Sequence, residues 1–573
     1  MQTSFTTDNE LPDGIAPGPV QNSDSGAEGR GPESLKNPPA VLRKPLWVLL
    51  LVFSLALLVD RIVFYRQPGA QWAIAVNLLL AVLFLSAALE HKRVPLSSML
   101  LALLTGASAV LTMFRAEGFT TAALVLFSLL GTVLLAVSFL NGQGFVYRLR
   151  EYVTQGLRLA ASALVGLPAG LIQSAQRGKE SQGAEPSSRG GLRSGAVLRG
   201  ILIALPLVAL LGLLLASADA VFSSRLSALL EWIKIERPEE FVFRGLFVLG
   251  LSYCLFGLVW HALTRTEERL PLEPDQPLIK PFLGMTESAI ILAALNLLFA
   301  VFVLVQVKYF FAGEQNINVE GFTYAEYARR GFFELVVAAV FTLLVHYGLA
   351  SFTRREDRKR RLLFSILATL LLLQTGVVLL SAFQRLSLYE AAYGFTQARL
   401  TAHVFMIFLG LILAISAALE ITRSYKYLAA VLLILVLAFG LTLAFLNVDR
   451  TIARQNLAHA QAGNTLDLAY LAGTALSEDA TPELFASFDD PALTPELKDA
   501  LGLALSCRAA RFAQNNPDSP FWASWHASRA AGGRLYQSRA DALAAYPLQD
   551  FPEGRGILIE AQPFICAFTD SAR

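Results

Sequence analysis

Charged residues and tyrosines open one long apolar stretch of the chain. The opening segment, residues 324–335, contains Glu326, Arg330 and Glu334 at helical i,i+4 spacing, with Arg329 beside them. Charged side chains near the hydrocarbon of a bilayer are costly, so they are retained where other groups pair with them or use them. The spacing therefore predicts a ladder of ion pairs on one helical face, and it leaves open whether the ladder is structural or functional.

Three further polar groups flank the predicted membrane spans on the same side. They lie at Asp219, at residues 384–399 and at residues 447–456. The arginines suit a phosphate or carboxylate ligand, because a guanidinium binds either group through two parallel hydrogen bonds. The same acids and arginines also suit a self-neutralising structural network, and the tyrosines suit anchors at the membrane surface. The candidate ligand or ion-pair residues are Asp219, Glu326, Arg329, Arg330, Glu334, Arg385, Tyr389, Glu390, Arg399, Asp449 and Arg450.

Sequence patterns typical of catalysis or cofactor binding are missing. The six histidines show no metal-ligand spacing, and the chain has neither a phosphate-binding glycine loop nor a Gly-x-Ser-x-Gly elbow. His403, four residues after Arg399, is interpreted as a packed helix residue. We therefore predict no catalytic residue, no metal and no cofactor, and an enzyme is the least favoured function.

The cysteines predict one covalent link. Cys507 and Cys566 are the two cysteines of the C-terminal tail, whereas Cys254 lies in an apolar run. Because the tail is predicted to face an oxidising compartment, its two cysteines are predicted to form a disulfide. The alternative is a pair of free, buried thiols.

The composition is that of a membrane protein. Hydrophobic residues make up 54% of the 573 residues and charged residues only 16%, against about 25% charged residues in soluble domains. The net charge is +2 and no basic stripe is present, which argues against nucleic-acid binding. Since a helix needs about 20 apolar residues to cross a bilayer, we predict an all-α polytopic membrane protein with about eleven spans. The predicted spans are 45–64, 71–89, 95–114, 120–140, 199–217, 241–263, 286–309, 328–352, 361–382, 398–421 and 428–446.

The distribution of Lys and Arg predicts the orientation. Basic residues cluster in every second loop, most densely at residues 354–361, and such loops face the cytoplasm. The N-terminus is therefore predicted to be cytoplasmic and the C-terminal domain extracytoplasmic. The predicted regions are a disordered tail (1–44), a four-helix membrane region (45–140), a cytoplasmic interfacial helix and flexible linker (141–198), a membrane region of about seven helices (199–446) and a small, mostly helical domain (447–573).

The segment after the fourth predicted span is amphipathic. Apolar residues recur at helical spacing from Phe145 to Leu171, and Arg148, Arg150 and Arg158 lie off that stripe. This pattern predicts a helix that either lies on the cytoplasmic leaflet or packs as a connector on other helices.

Four short motifs occur in order along the chain. They are Leu-Ala-Ser-Ala-Asp at 215–219, Tyr-Ala-Glu-Tyr-Ala-Arg-Arg-Gly-Phe-Phe-Glu-Leu at 324–335, Arg-Leu-Ser-Leu-Tyr-Glu-Ala-Ala-Tyr-Gly-Phe-Thr at 385–396 and Asn-Val-Asp-Arg-Thr-Ile-Ala-Arg-Gln-Asn at 447–456. Together they resemble the bacterial multi-pass membrane family catalogued as a domain of unknown function, number 4173. The resemblance implies a polytopic protein of the bacterial cytoplasmic membrane, and it carries over no substrate, reaction or catalytic residue.

Two functions are compatible with these patterns. One is a carrier or lipid-handling protein whose outer arginines bind an anionic group, and it is favoured by the polar residues on one side. The other is a non-catalytic sensor or assembly factor with the C-terminal domain as its partner-binding module. The expected partners are the lipid bilayer and an anionic small molecule or lipid, and nucleic acid is not expected.

Overall fold

The computed structural model describes most of the chain. The described residues are 42–63, 69–147, 149–180, 238–266, 281–311, 331–354, 357–515 and 525–568, with a few isolated residues between 208 and 225. The predicted N-terminal tail up to residue 41, most of the predicted linker and nearly all of the predicted span at 199–217 lie outside the described residues.

Apolar helices make up the membrane part of the described chain. Nine of the described helices are long and apolar enough to cross a bilayer, and α3 is a shorter apolar helix of 16 residues. The chain is an all-α polytopic membrane protein, as its composition predicts. The helices of this part are α1 (Pro45–Val63), α2 (Ala70–Leu89), α3 (Leu96–Leu111), α4 (Gly118–Ser138), α5 (Leu149–Glu180), α6 (Pro238–Thr264), α7 (Met285–Phe311), α8 (Phe332–Phe352), α9 (Arg358–Tyr393), α10 (Gln397–Thr422) and α11 (Leu428–Leu446).

Helix α9 is longer than a membrane span, and its charged residues lie towards its two ends. Its 36 residues rise about 54 Å at 1.5 Å per residue, whereas the hydrocarbon core of a bilayer is about 30 Å thick. The helix therefore extends beyond the hydrocarbon, and its ends carry polar groups. The basic run from Arg358 to Arg361 forms its first turn, and Glu390 lies in its last turn.

Helices α1 to α6 form a first group around one apolar core. The core of this group includes Val52 of α1, Leu83 of α2, Leu101 of α3, Leu135 of α4 and Trp260 of α6, all buried. By chain order α6 falls in the predicted second membrane region. In the structure it packs along α1 and α5, so the first group contains one more span than the predicted four-helix region.

The amphipathic helix α5 packs lengthwise against α6. At the crossing, a Cβ on Gly257 would lie 2.5 Å from the Cα of Ala163, so the two backbones touch in a way that only glycine permits. Nearby, the Ser162 hydroxyl lies 2.7 Å from Nδ1 of the buried His261. Helix α5 therefore packs on a neighbouring helix, as the connector alternative predicts, and its position on the cytoplasmic leaflet stays a prediction.

Helices α7 to α10 form a second group, with α9 in contact with α7, α8 and α10. Buried Leu372 and Leu379 of α9 pack with Leu409 and Leu413 of α10 in its core. Helix α11 joins this group to the first. Its Gly440 lies directly on the ring of Phe127 in α4, so any larger residue at position 440 would clash.

The C-terminal domain is helical except for one sheet. Its helices are α12 (Val448–Gln461), α13 (Leu468–Ala472), α14 (Thr481–Phe488), α15 (Pro495–Asn515), α16 (Ala527–Ser538) and α17 (Ala540–Leu543). Strands β1 (Gln549–Phe551), β2 (Gly554–Ile559) and β3 (Gln562–Phe568) form an antiparallel sheet in the order β1-β2-β3. The sequence predicts a mostly helical domain and does not predict this sheet.

The C-terminal domain packs on loops from both helix groups at one end of the bundle. The backbone N–H of Ala116, before α4, donates to Oδ2 of Asp479 at 2.9 Å, and the N–H of Ala527 donates to the carbonyl of Met113 at 2.8 Å. From the second group, the carbonyl of Phe395 accepts a hydrogen bond of 2.9 Å from Nδ2 of Asn456. We call this end the domain end.

The opposite end gathers the basic loops. The carboxylate of Glu90, at the end of α2, accepts from the backbone N–H groups of Arg43 and Lys44 at 2.6 and 2.7 Å. In the second group, the N–H of Arg354 donates to the carbonyl of Leu283 at 3.0 Å. We call this end, with residues 42–44, 90–97, 352–354, 357–361 and 423–426, the basic end. The loops that the structure describes at the two ends belong to the two alternating sets that the Lys and Arg pattern predicts.

Candidate functional site

The turn between α9 and α10 organises the polar residues of the domain end. Gly394 has a φ of 74°, a left-handed conformation that glycine adopts without steric cost. The chain reverses direction sharply at Gly394, so the C-terminal end of α9 faces the N-terminal end of α10. As a result, Tyr389 and Glu390 lie beside Arg399 and His403.

Glu390 and His403 form a buried pair between α9 and α10. Oε2 of Glu390, which is 3% exposed, lies 2.9 Å from Nδ1 of His403. Nε2 of the same imidazole lies 3.2 Å from the hydroxyl of Ser387, and the ring packs on Phe383 with centroids 4.4 Å apart. The interpretation of His403 as a merely packed residue is therefore incomplete. Since the two partners lie on different helices, no local spacing in the sequence identifies this pair.

Arg399 is a fixed guanidinium at the same turn. Its Cζ lies 4.0 Å from the ring centroid of Tyr389, and its Nη1 donates to the carbonyls of Tyr393 and Gly394 at 3.2 and 2.5 Å. Within the described part of the chain, no carboxylate lies within ion-pair distance of Arg399, and its Nε and Nη2 have no acceptor. Ring and carbonyl contacts therefore orient a cation whose charge the described residues leave unneutralised.

Arg385 connects α9 to two other helices of the second group. Its Nη2 lies 3.5 Å from Oε1 of Gln306 in α7, and that oxygen also accepts a hydrogen bond of 2.7 Å from Ser381. Gly331, directly before α8, lies so close that a Cβ there would be 2.9 Å from Nη1 of Arg385. Arg385 thus fills the corner between α7, α8 and α9 one turn before Glu390.

Asp449 joins the C-terminal domain to the bundle, whereas Arg450 pairs within the domain. Asp449 is fully buried and accepts from Nε2 of Gln397 and from the backbone N–H of Ser477, both at 2.7 Å. Burial raises the pKa of the Asp449 carboxyl above its usual value, and the hydrogen bonds from Ser477 and Gln397 oppose that shift. Arg450 is exposed, and its Nε donates to Oε2 of Glu483 of the same domain at 2.9 Å. The contact between Asp449 and Gln397 of α10 is that of a domain interface.

The remaining predicted site residues do not join this arrangement in the described chain. Asp219 is exposed and accepts from the backbone N–H of Phe222 at 3.0 Å. Glu334 is exposed in the first turn of α8. Three members of the predicted ladder lie outside the described residues, and they are Glu326, Arg329 and Arg330.

The start of α8 lies within the segment that is predicted to carry the ladder. The helix begins at Phe332, and Gly331 before it has a φ of 89° in the left-handed region. The structure describes Glu334 of the ladder, whereas Glu326 and Arg330 lie outside the described residues. The ladder of ion pairs therefore stays a prediction.

Two buried polar groups were missed by the sequence analysis. Asp60 of α1 accepts two parallel hydrogen bonds from Arg244 of α6, from Nε at 3.1 Å and from Nη2 at 2.6 Å. At the basic end, Glu420 of α10 contacts Tyr425, whose hydroxyl also contacts His346 of α8. In both groups, at least one of the polar residues lies within an apolar run of the sequence. An isolated ionisable residue in such a run is the one sequence feature that indicates a buried polar group.

The two tail cysteines are linked. Cys507 of α15 and Cys566 of β3 form a disulfide with Cα atoms 5.0 Å apart, within the range that a disulfide requires. The adjacent Arg508 is 3% exposed and donates to the carbonyls of Leu476 and Ser477 at 3.0 and 2.8 Å. The disulfide therefore fastens the sheet to the helix that supports the Asp449 interface.

A family model described as a domain of unknown function, DUF4153, matches residues 48–486 of the chain. The chain belongs to the DUF4153 family. No curated protein and no solved structure matches the chain. The DUF4153 region begins in α1 and ends in α14, so it includes both helix groups and the start of the C-terminal domain.

The match corrects the resemblance drawn from the four motifs. The family type, a domain of unknown function, is confirmed, but the number 4173 is wrong and 4153 is right. The DUF4153 match also begins well before residue 215, where the first of the four motifs starts. The first helix group is therefore part of the family domain.

Proposed function

We propose that this DUF4153 protein is a membrane carrier or lipid-handling protein that binds an anionic group at the domain end. The observation that carries the proposal is the guanidinium of Arg399, which the Tyr389 ring and two carbonyls orient and which no described carboxylate neutralises. A pre-oriented guanidinium loses little conformational entropy when its remaining N–H groups bind an anion. Phosphate and carboxylate both match the two remaining donor positions.

The surroundings of Arg399 support a binding role. Glu390 and His403 form an ionisable pair beside it, and Arg385 adds a second partly buried cation one turn earlier on α9. Buried ionisable groups within membrane helices are costly to keep, and they commonly mark ligand or ion pathways. These groups lie on α9 and α10, so a movement between the two helices would change the ligand environment.

We expect Arg399→Gln to weaken the binding of an anionic ligand by about ten-fold or more, since a charge-assisted hydrogen bond contributes roughly 1.5–3 kcal/mol. Arg399→Lys keeps the charge without the planar fork and is expected to bind with intermediate affinity. The measurement is native mass spectrometry of the detergent-purified protein, titrated with phosphatidylglycerol and, separately, with inorganic phosphate.

The matched control is Arg450→Gln. Arg450 lies at the same end but is exposed and paired with Glu483, so its loss is expected to leave binding unchanged. Binding of phosphatidylglycerol alone identifies a lipid headgroup as the ligand, and binding of both probes identifies a general phosphate site. Equal affinities of the wild type and Arg399→Gln for both probes would contradict the proposal.

We further propose that the domain end faces the outside of a bacterial cytoplasmic membrane and the basic end faces the cytoplasm. The support is the clustering of lysine and arginine in the loops of the basic end, at residues 42–44, 92–93, 354–361 and 423–426. Lysine and arginine are enriched in cytoplasmic loops. An outer location also suits the disulfide, because such bonds persist in oxidising compartments.

Alkaline phosphatase fused after Gln461 is expected to be active, and the same enzyme inserted in residues 354–361 is expected to be inactive. The enzyme needs disulfides that form only outside the cytoplasm. Green fluorescent protein at the two sites should give the opposite pattern of signals. Reversed activities at the two sites would overturn the orientation and would move the proposed ligand site to the cytoplasmic face.

A second candidate is a sensor or assembly factor whose C-terminal domain binds a partner. The supporting observation is that this domain contacts both helix groups, through Asp479 to the loop before α4 and through Asp449 to Gln397 of α10. Any shift between the groups would therefore strain or move the domain. Unchanged anion binding in Arg399→Gln would favour this candidate over the carrier.

A further inference from the structure

A second ionisable cluster joins three helices at the basic end. Glu420, in the last turn of α10, is 2% exposed, and its Oε1 accepts a hydrogen bond of 2.6 Å from Ser365 of α9. Its Oε2 contacts the hydroxyl of Tyr425, in the 3₁₀ turn before α11. The same hydroxyl lies 2.8 Å from Nε2 of His346, a fully buried residue of α8.

The tyrosine hydroxyl has one proton and lies within hydrogen-bond distance of both Glu420 and His346, so the protonation states of these groups are coupled. When Tyr425 donates to a Glu420 carboxylate, His346 must carry a proton on Nε2 and donate it to the phenol oxygen. When Tyr425 instead donates to Nε2 of His346, Glu420 must be a carboxylic acid that donates to the phenol oxygen. The direction of both hydrogen bonds therefore reports whether Glu420 holds a proton.

The protonation states of Glu420, Tyr425 and His346 are related by the number of protons that the three groups hold. With a Glu420 carboxylate and a neutral His346, the three groups hold two protons and a net charge of −1. One added proton gives either a carboxylate with an imidazolium or a carboxylic acid with a neutral imidazole. These two forms interconvert when the Nε2 proton moves to the phenol oxygen as the phenol proton moves to Glu420. No other reactant is needed, and the net charge of both forms is zero.

The surroundings allow proton entry from one side. Tyr425 is partly buried, and Arg423 and Lys426 beside it in the connecting segment are exposed. On α9, the basic first turn that ends at Arg361 is exposed as well. On α8, Tyr347 points its hydroxyl to Ser416 of α10 at 2.6 Å. Two side chains that contact the Glu420 carboxylate, Ser365 and Tyr425, are both only partly buried, so a proton can reach it from the basic end.

We propose that Glu420, Tyr425 and His346 form a proton-binding relay that takes up one proton from the basic end. Its ligand is the proton itself, and its occupancy sets the hydrogen bonds that hold α8, α10 and the start of α11 together. This relay is separate from the anion site at Arg399, because it lies at the opposite end of α10. Its test does not depend on whether the protein transports or binds an anion.

The test is an infrared titration of the protein in lipid nanodiscs between pH 4 and pH 9. We expect one protonated-carboxyl band that appears on acidification in the wild type and is missing in Glu420→Gln. Tyr425→Phe keeps the aromatic ring and removes the relay hydroxyl, so the midpoint of this band is expected to move by about one pH unit or more. The matched control is Tyr427→Phe, an exposed tyrosine of the same turn, which is expected to leave the midpoint unchanged.

A second measurement needs no substitution at Glu420. In wild-type protein with 15N-labelled histidine, the His346 signal, assigned with His346→Gln, is expected to change over the same pH interval from the tautomer with a proton on Nε2 to the tautomer with a proton on Nδ1, because Nε2 donates before proton uptake and accepts after it. A Glu420 band that is constant at every pH, or that titrates identically in Tyr425→Phe, would overturn the proposal. A His346 signal that is constant over the whole interval would overturn it as well, even if Glu420→Gln fails to fold.

Discussion

Replacement of Asp60 by alanine is expected to lower the free energy of unfolding by about 1.5–3 kcal/mol, because it removes the charge-assisted hydrogen bonds between α1 and α6. Arg244 keeps its contact with Glu240 at 3.6 Å and its side chain is 30% exposed, so its charge is not fully stranded. Asp60 is 6% exposed and binds the guanidinium through both carboxylate oxygens. Arg244→Ala is expected to have an effect of similar size, since it strands the Asp60 carboxylate. Equilibrium unfolding in mixed detergent micelles measures both variants.

The double variant decides whether the pair acts as a unit. Arg244→Ala strands the buried Asp60 carboxylate, and the double variant removes that carboxylate, so Asp60→Ala with Arg244→Ala is expected to cost clearly less than the sum of the single effects. Arg61→Ala is the control, since Arg61 is exposed beside Asp60 and its loss is expected to change stability by at most about 0.5 kcal/mol. Additive effects of the single substitutions would show that the contact between Asp60 and Arg244 contributes no coupling energy.

Loss of the disulfide is expected to lower the stability of the C-terminal domain by roughly 2–4 kcal/mol. The bond joins residues 59 positions apart, so its removal returns considerable freedom to the unfolded chain. In Cys507→Ser with Cys566→Ser, strands β2 and β3 are expected to exchange amide hydrogens faster, because the sheet is no longer fastened to α15. Hydrogen exchange and thermal unfolding in detergent measure the two effects.

The third cysteine supplies the control for this experiment. Cys254 is an exposed free thiol on α6, and Cys254→Ser is expected to leave the stability of the C-terminal domain unchanged. Alkylation of the unreduced, denatured protein is expected to modify one thiol per chain, at Cys254. Modification of three thiols would show that the tail cysteines are reduced, and it would also weaken the proposed outer location of the domain.

The sequence by itself determined the membrane architecture. Apolar runs of about 20 residues predict helices wherever they occur, because a bilayer leaves no other way to satisfy the backbone hydrogen bonds. The Lys and Arg alternation likewise predicts which loops share an end, and the described loops of the two sets lie at opposite ends of the structure. Cys507 and Cys566 were predictable as a pair because they are the two cysteines of the tail.

Tertiary structure alone decided which polar residues meet. Asp60 and Arg244 are 184 positions apart, and His346 lies 79 positions before Tyr425, so no periodicity relates the partners. Even Glu390 and His403, close in the chain, meet only because the turn at Gly394 folds α10 back on α9. Such contacts depend on helix packing, which a pattern of apolar residues does not specify.

The turn between strands β2 and β3 was likewise not predictable from the sequence. Strands β2 and β3 are joined at Glu560 and Ala561, which both have positive φ values, 49° and 63°. Hairpins with this backbone usually carry Asn-Gly or Asp-Gly, since those residues adopt it at low cost. A Glu-Ala pair gives no such signal. The sheet therefore depends on its packing against α15, where the disulfide and the buried Ile557 hold it, and that packing exists only in the folded domain.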